Sequence, residues 1–447
     1  MASPMSKART APRLGHPVYD DIPFFEVSTA GASGMETVEM AHSGNQVQHG
    51  LRLIVLAAVS ATAGCAGPAR QRAVPTELQD RAVISGLSPA VRTWGAAVSP
   101  EFQAQLFESV RREQAYRASS GQTGPLPPAE FLAISGGGAN GAFTAGLLNG
   151  WTAAGNRPRF KAVTGISTGA LIAPFAFLGP AYDETLRKFY TGVTTKDILT
   201  KRSMLAALSD DALADNAPLR RMIAGLVDQK LLDAIAAEYH KGRLLLIGTT
   251  NLDAQREMIW DVGAVATSGH PRALELVRDI MIASAAIPAA FPPVMIDVEV
   301  DGQHYQEMHV DGGTVTQVFL YPPSLKVKEV SEAAGIKRDR RVYIIRNARL
   351  DPEWAQTPRR TLSIAGRAVS SLIATQGIGD LYRTYLNAQR DGIDYNLVFI
   401  PADFKLQSRE AFDREYMQKL FDVGFEMGRK GGFWKKTPPA FEGESPG

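Results

Sequence analysis

Short apolar runs alternate along this chain with longer segments in which apolar residues recur at helical spacing. The short runs are typical of buried strands, and the main ones lie at residues 131–134, 160–163, 244–249, 257–261, 342–345 and 395–401. Helical spacing predicts helices at residues 78–87, 100–116, 142–151, 170–178, 183–190, 204–213, 218–227, 230–240, 271–284, 361–390 and 410–430. Strands that alternate with helices in this way predict an α/β layered domain with a mostly parallel sheet.

A hairpin interrupts this alternation late in the chain. Residues 294–300 and 303–307 have strand composition, and Asp301-Gly302 between them is a strong signal for a two-residue turn. The second strand leads into Val310-Asp311-Gly312-Gly313, which is an apolar strand end followed by a carboxylate and two glycines. The hairpin is therefore expected to place Asp311 at the end of a strand.

Residues 131–169 form one predicted βαβ unit that carries two glycine turns. Gly136, Gly137 and Gly138 follow the first strand, and glycines let the backbone turn its N–H groups toward a ligand. After the second strand comes Gly165-Ile166-Ser167-Thr168-Gly169, a G-x-S-x-G sequence that leads into a helix-compatible segment. This setting predicts a nucleophile elbow, in which Gly165 and Gly169 permit the sharp turn and Ser167 stands at the carboxyl end of the sheet.

Two other interpretations of these turns have to be weighed. Gly136-x-Gly138-x-x-Gly141 also fits the dinucleotide fingerprint, which requires an acidic residue about 20 positions later. No Asp or Glu lies between Glu130 and Asp183, and this absence argues against a dinucleotide. Both turns could also be ordinary tight turns of an α/β sheet. Two such turns within a single βαβ unit favour a functional site instead.

A nucleophilic serine needs a base, and the sequence offers two kinds. In the chain order of α/β-hydrolases the histidine comes last, and only His304 and His309 are late enough. Asp311 could instead accept the serine proton directly, provided that its strand end lies beside the elbow. The residues alone leave both a histidine triad and a Ser-Asp pair open.

From about residue 130 to about residue 323 the sequence resembles the patatin-like phospholipase family, whose members use a Ser-Asp dyad without a catalytic histidine. Four motifs carry the resemblance: the glycine run at residues 136–141, the elbow at 165–169, the block ASAAIPAAFPP at 283–293, and Asp311-Gly312-Gly313. The resemblance implies a three-layer α/β fold with a mostly parallel central sheet flanked by helices. It also implies roles for individual residues, with Ser167 as nucleophile, Asp311 as base, and Gly136, Gly137 and Gly138 as the oxyanion hole.

The sequence departs from the family pattern at two places. Asn140 stands where many members carry Arg or Lys, and Thr316-Gln317-Val318 replaces the asparagine commonly found after Asp-Gly-Gly. The first departure removes a positive charge beside the expected oxyanion site. A preference for anionic head groups therefore does not follow from the resemblance.

Composition narrows the classes of ligand and partner. A net charge of +2 over 447 residues argues against nucleic acid as a partner. The single cysteine and the strand setting of His304 and His309 give no metal-ligand spacing, so we expect no metal site. No cofactor is expected. The resemblance implies a lipid ester as the substrate.

The one cysteine, Cys65, follows a segment with the pattern of a signal peptide. Residues 51–59, LRLIVLAAV, are apolar but too short to span a membrane, and small residues lead from them to Cys65. This arrangement resembles a bacterial lipoprotein signal, in which the cysteine is acylated and becomes the first mature residue, although Thr62 replaces the usual leucine. A buried structural cysteine is the alternative. We expect a lipoprotein anchored in a bacterial envelope membrane through Cys65, in the outer membrane or facing the periplasm.

The expected domain organisation follows from these segments. Residues 1–39 are expected to be disordered or to precede the true start at Met35 or Met40, and residues 40–64 to be the signal peptide. Residues 65–128 should form N-terminal helices and a linker, and residues 129–325 the catalytic core. Residues 326–447 should extend the same α/β domain and end in a short tail.

The expected function is that of a serine acyl hydrolase, of the lipase or phospholipase A type, which cleaves carboxylic esters of membrane lipids. The alternative is a catalytically silent envelope lipoprotein that uses the same fold to bind lipid or a partner. The sequence carries no signal for the lipid class, the bond cleaved or the oligomeric state.

Overall fold

The computed structural model describes residues 69–202 and 210–441. Cys65, the expected signal peptide and the expected leader lie outside the described residues, as does most of the helix predicted at 204–213. The strands are β1 (Arg92–Trp94), β2 (Ala129–Ile134), β3 (Ala162–Ile166), β4 (Thr200–Lys201), β5 (Ala214–Asp215), β6 (Leu244–Asn251), β7 (Arg256–Asp261), β8 (Val294–Val300), β9 (Gln303–Asp311), β10 (Arg340–Arg346) and β11 (Asp394–Phe399).

The helices, named in chain order, are α1 (Pro100–Ser119), α2 (Gly141–Ala153), α3 (Thr168–Leu178), α4 (Asp183–Gly192), α5 (Thr195–Ile198), α6 (Ala217–Leu226), α7 (Gln229–His240), α8 (Val262–Ala266), α9 (Ala273–Ser284), α10 (Val327–Ala333), α11 (Thr361–Asp391) and α12 (Arg414–Lys430). Within the described residues, no helix is both long and apolar enough to cross a membrane.

The main sheet has the strand order β1-β7-β6-β3-β2-β10-β11. The five strands from β6 to β11 in this order run parallel to one another. At one edge, β7 pairs antiparallel with β6, and β1 pairs antiparallel with β7. The hairpin of β8 and β9 joins the sheet through β9, which pairs antiparallel with the end of β6. Helices flank this sheet, so the predicted α/β fold with a mostly parallel central sheet is confirmed.

Helices α2 and α12 pack with their backbones in close contact. A Cβ atom on Gly146 of α2 would lie 2.0 Å from the carbonyl oxygen of Phe421, and one on Gly424 of α12 would lie 2.3 Å from that of Phe143. Only glycine permits such an approach at these positions, because any side chain would push the helices apart. The contact fixes α2, which begins directly after the first glycine turn.

The predicted hairpin is confirmed, while several element ends differ from the prediction. Asp301 and Gly302 have φ of 51° and 75°, which is the left-handed pair that a tight hairpin turn requires. Strand β9 continues to Asp311, beyond the predicted end at residue 307, because its last residues pair with the end of β6. The helix predicted at 78–87 is only a short 3-10 turn at Thr76–Arg81, since Val83 instead bridges to Glu299 of β8.

Candidate active site

Ser167 occupies a sharp turn between β3 and α3. Its backbone has φ of 55° and ψ of −124°, a conformation that is rare for a residue with a side chain. A Cβ on Gly165 would lie 2.4 Å from the carbonyl oxygen of Gly169, and one on Gly169 would lie 2.3 Å from that of Ile134. The glycines on either side of the serine are thus a steric requirement of the turn.

Ser284 at the end of α9 holds this turn in place. The Ser167 N–H donates to Ser284 Oγ at 3.0 Å, and the Ser284 hydroxyl in turn donates to the carbonyl oxygen of Gly248 at 2.6 Å. The strained backbone of the elbow is therefore tied to the neighbouring strand β6. Ser284 belongs to the alanine-, serine- and proline-rich block that the sequence shares with the family, and this contact gives the block a structural role.

Strand β6 brings Asp311 beside Ser167. Two strands pair with the same edge of β6. Strand β3 pairs parallel with β6 as far as Gly248, and β9 pairs antiparallel with β6 from Thr249 onward. The carboxyl ends of β3 and β9 therefore point toward each other and meet at this position. Because Ser167 directly follows β3 and Asp311 ends β9, their side chains are brought together although 144 residues separate them.

The Ser167 hydroxyl donates a hydrogen bond to Asp311 Oδ2 at 2.7 Å, and both residues are almost fully buried. The other carboxylate oxygen, Oδ1, accepts the N–H of Gly313 at 2.7 Å. Burial raises the pKa of Asp311 to about 7, and the hydrogen bonds from Ser167 and Gly313 offset only part of that effect. The carboxyl group is therefore a stronger base than an exposed aspartate.

Neither late histidine contacts the serine. His309 is fully buried on β9, where Nδ1 lies 2.9 Å from Thr249 Oγ1 and Nε2 lies 3.0 Å from Glu307 Oε2. Both ring nitrogens already have partners, so His309 is part of a separate polar cluster. His304 is exposed near the start of β9. Of the two arrangements that the sequence left open, the structure brings together the serine and the aspartate.

The first glycine turn lies directly against the elbow. A Cβ on Gly136 would lie 3.2 Å from Ser167 Cβ. Gly137 has φ of 153°, and a Cβ there would lie 2.4 Å from the carbonyl oxygen of Asn347, while Gly138 has φ of 56°. Among the described residues, no acceptor takes the N–H of Gly137 or Gly138. Of the three glycines expected to form the oxyanion hole, Gly137 and Gly138 therefore keep their N–H groups available, whereas the N–H of Gly136 donates to the carbonyl of Gln317.

Asn347 supports the glycine turn and was missed in the sequence. Its backbone N–H donates to Ser135 Oγ at 2.8 Å, and its side-chain amide donates to the Ser135 carbonyl at 2.9 Å. Its Oδ1 accepts the Thr144 hydroxyl at 2.6 Å. Asn347 directly follows β10 just as Ser135 follows β2, and polar residues after adjacent parallel strands meet at one edge of the sheet. That position was the signal that could have identified Asn347.

Asn140, which stands where many family members carry a cation, also contacts Asn347. Its Nδ2 donates to the Asn347 carbonyl at 3.1 Å, and its Oδ1 accepts the Tyr416 hydroxyl from α12 at 2.7 Å. The amide can make both contacts because it carries a donor and an acceptor, whereas Arg or Lys would have only donors. The carbonyl of Asn347 and the hydroxyl of Tyr416 thus form contacts that suit an asparagine at position 140 and would not both suit a cation.

Gln317 connects the glycine turn to the loop after Asp311. Its carbonyl accepts the Gly136 N–H at 3.1 Å, and its side-chain amide donates to the Gly313 carbonyl at 2.7 Å. Its own N–H donates to Asp380 of α11 at 2.5 Å. The second departure from the family pattern therefore links both loops of the site to a helix.

Within the described part of the chain, no group of three or more His, Cys, Asp or Glu side chains is placed to hold a metal ion.

Comparison with known proteins identifies the domain that carries this site. The family model of the patatin-like phospholipases matches residues 132–321, an interval that contains both glycine turns, Ser167 and Asp311. A search of curated proteins found no match to this chain.

Two solved structures from bacteria are similar to 68% of this chain, VipD from Legionella pneumophila and ExoU from Pseudomonas aeruginosa, crystallised with SpcU. VipD is 12% identical with a TM-score of 0.33 over 67% of its chain, and ExoU is 14% identical with a TM-score of 0.29 over 52% of its chain. The assignment rests on the family match and the motifs. Residues 132–321 of this chain match the patatin-like phospholipase family, and all four motifs lie within this interval.

Proposed function

We propose that the protein is a serine acyl hydrolase that cleaves carboxylic esters of membrane lipids through an acyl-enzyme on Ser167. The family supports lipid hydrolase activity in general. The observation that carries the finer proposal is the 2.7 Å hydrogen bond from the Ser167 hydroxyl to Asp311. No histidine of the described residues contacts this serine. A nucleophile bonded to its base at this distance is ready for proton transfer.

In the proposed reaction, Ser167 Oγ attacks the ester carbonyl carbon while its proton passes to Asp311. The carbonyl oxygen becomes an oxyanion that the free N–H groups of Gly137 and Gly138 stabilise, and each such donor typically contributes a factor of about 100 to 1000 in rate. The intermediate collapses, and the alcohol leaves with the proton from Asp311. Asp311 then takes a proton from a water molecule as that water attacks the acyl-enzyme. This proton passes to Ser167 Oγ when the second intermediate collapses and the fatty acid leaves.

The environment of Asp311 suits this role. A carboxylate with an ordinary pKa near 4 is a weak base toward a serine hydroxyl. The buried Asp311 has a pKa of about 7, so near neutral pH it is partly ionised and considerably more basic. Helix α3 begins at Thr168, directly after the serine, and its N-terminus favours negative charge that develops nearby.

The experiment compares the wild type with Ser167→Ala in hydrolysis of a short-chain nitrophenyl ester and in labelling by a fluorophosphonate probe. We expect Ser167→Ala to lose both signals. The exposed Ser119, at the end of α1, provides the matched control, and Ser119→Ala should retain both. Equal hydrolysis by wild type and Ser167→Ala would contradict the proposal. Absence of labelling in the wild type would favour the catalytically silent lipoprotein that binds lipid or a partner.

We further propose that an acyl chain on Cys65 anchors the protein to a bacterial envelope membrane. The support is the signal-like segment before this single cysteine, which lies outside the described residues. Mass spectrometry of the mature N-terminus in a bacterial host should find a diacylglyceryl cysteine at position 65. A mature protein that retains the preceding segment, or that starts elsewhere, would contradict the anchor without affecting the hydrolase.

A further inference from the structure

Helix α11 has two halves with opposite surroundings. In its C-terminal half, Gly377, Asp380, Leu381, Thr384 and Ala388 are buried against the domain. In the N-terminal half, residues 361–375, no described side chain is buried. These 15 residues would extend about 22 Å at 1.5 Å per residue. A helix of this length that projects from a domain normally needs a partner for any apolar face that it carries.

The projecting half does carry an apolar face, which we call the apolar stripe. It consists of two adjacent rows at spacing four, Ile364-Ala368-Leu372 and Ala365-Val369-Ile373. The exposed fractions of its large side chains are 52% for Ile364, 53% for Val369, 70% for Leu372 and 36% for Ile373. None of them joins a hydrophobic core cluster of the described residues. The opposite face carries Ser363, Arg367, Ser370 and Ser371.

The apolar stripe is not a continuation of the buried face of the same helix. At 100° per residue, the centre of the stripe lies about 150° around the helix from the face that holds Gly377, Leu381 and Ala388. A simple extension of the domain core along the helix would therefore leave the stripe uncovered. The partner of the stripe must approach from a different direction.

The charges and the aromatic residue around the stripe indicate the chemistry of that partner. Trp354, shortly before α11, is 83% exposed, and Arg359 and Arg360 at the start of the helix are exposed as well. Residues 352–375 contain three Arg and one Glu, a net charge of 3 − 1 = +2. Apolar side chains beside exposed Trp and Arg are typical of segments that lie in the interface of an anionic bilayer.

The base of the projecting half is hydrogen-bonded to a loop of the candidate active site. Gln376, one residue after the projecting half, donates to the carbonyl of Val315 at 3.0 Å, four residues after Asp311. Asp380, one turn further on, accepts the N–H of Gln317. The loop that follows the base is therefore fixed to the point where α11 leaves the domain. A surface that binds the projecting half would therefore be linked to the site through the base of this half.

We infer that the projecting half of α11, with Trp354, docks on the surface of a lipid bilayer and brings the site to its substrate. The apolar stripe enters the boundary between head groups and acyl chains, and Arg359 and Arg360 contact anionic head groups. This inference extends the proposed function, because a membrane-lipid hydrolase has to reach ester bonds inside a bilayer. It also provides a membrane contact that does not depend on Cys65.

The test measures binding of the full chain to vesicles of mixed phosphatidylcholine and phosphatidylglycerol. The parent carries Cys65→Ser and Ser167→Ala, so that neither an acyl anchor nor hydrolysis affects the result. On this background, Val369→Asp with Leu372→Asp should weaken vesicle binding at least about tenfold, because two side chains that enter the bilayer become charged. The matched control is Leu386→Asp, which charges a 58% exposed leucine on the other half of the same helix and should bind like the parent.

A second measurement reports on Trp354 itself. The fluorescence of Trp354 is the part of the parent's tryptophan fluorescence that is missing in Trp354→Phe. Quenching of this part by iodide should decrease when vesicles are added, because the bilayer shields the indole from the ion. Arg359→Gln with Arg360→Gln should weaken binding to the mixed vesicles more than binding to phosphatidylcholine alone. Binding by the stripe variant equal to that of the parent would overturn the inference. The inference would also be overturned if the parent were a dimer that the stripe substitutions dissociate and if neither the parent nor any variant bound vesicles. The stripe would then join two copies of the chain.

The two proposals fail in different ways. A protein with an intact Ser167 that hydrolyses a soluble ester but does not bind vesicles would refute docking and leave the hydrolase standing. Stripe-dependent vesicle binding by a chain that never reacts with an ester or a fluorophosphonate would refute the hydrolase and leave docking standing.

Discussion

Glu307 and Asp311 lie on the same face of β9, four residues apart, and both are nearly inaccessible to solvent. Burial alone would raise the pKa of each carboxyl group. For Glu307, the charge of Arg92 and the contact with His309 outweigh burial and lower the pKa to about 2. For Asp311, two hydrogen bonds from neutral donors offset only part of the effect of burial, and the pKa rises to about 7. One strand thus holds a permanently ionised carboxylate and a basic one.

The difference comes from the partners of the two groups. Arg92 Nη1 donates to Glu307 Oε2 at 2.6 Å, and His309 Nε2 lies 3.0 Å from the same oxygen. Among the residues that the structure describes, Asp311 receives only a hydroxyl from Ser167 and an N–H from Gly313. A buried carboxylate with a cation stabilises the fold through an ion pair, whereas one with neutral donors retains a proton affinity that chemistry can use. Four substitutions or titrations would test this contrast.

The largest expected effect is on the rate of Asp311→Asn, which keeps the shape of the side chain and removes its basicity. We expect kcat for a nitrophenyl ester to fall about 100- to 10,000-fold, the usual contribution of a general base. His309→Ala and His304→Ala should retain kcat within a few-fold when rates are corrected for the folded fraction. An inactive His309→Ala beside an active Asp311→Asn would exclude the Ser-Asp pair and indicate a histidine triad.

The second prediction concerns the stability of Glu307→Gln. This change leaves the buried charge of Arg92 without its counter-ion, so the free energy of unfolding should fall by about 3 to 5 kcal/mol. Chemical denaturation measures the change. The control is Glu329→Gln, which breaks the exposed pair with Lys326 and should leave the unfolding free energy almost unchanged. Equal losses in the two variants would show that the Arg92–Glu307 pair contributes no more than a surface pair.

The third prediction is the pH dependence of hydrolysis. Asp311 acts as a base only when ionised, so kcat/KM should rise about tenfold per pH unit below about pH 7 and level off above it. Spontaneous hydrolysis, measured with Ser167→Ala, is subtracted at each pH. In Glu307→Gln the midpoint should stay the same, because the pKa of Asp311 is set by its burial and by its hydrogen bonds from Ser167 and Gly313 and not by Glu307. A midpoint near pH 4 would mean that the base has the pKa of an exposed aspartate.

The smallest expected effect is on the pH dependence of stability. In the unfolded chain Asp311 loses its proton near pH 4, whereas in the folded protein it keeps the proton until about pH 7. The wild type should therefore lose unfolding free energy as the pH rises from about 4 to about 7. Asp311→Asn lacks this loss, so its stability relative to the wild type should increase by about 3 to 4 kcal/mol between pH 4 and pH 8.

Denaturation at the two pH values measures this difference. Glu257 and Asp261, whose buried carboxyls also have pKa values raised to about 7, are present in both proteins and cancel in the comparison. A relative stability of Asp311→Asn that is the same at pH 4 and pH 8, or lower at pH 8, would contradict the raised pKa.

The sequence by itself determined the features that depend on neighbouring residues. Asp301-Gly302 predicted a turn that needs positive φ at both positions, and the alternation of strands and helices predicted the α/β class. The glycines around Ser167 indicated a sharp turn because a side chain there would collide with the backbone of the turn or of β2. Local patterns carry this information, since they set which φ and ψ angles each residue can adopt.

Tertiary structure alone decided which distant residues meet. Ser167 and Asp311 are 144 residues apart, and they touch because β3 and β9 share one edge of β6. The same sheet brings Arg92 to Glu307 across 215 residues and so gives two carboxylates of one strand opposite pKa shifts. The sequence predicted α11 as one helix but not that half of it projects from the domain. Burial depends on neighbours from elsewhere in the chain, and only the order of the strands determines which neighbours those are.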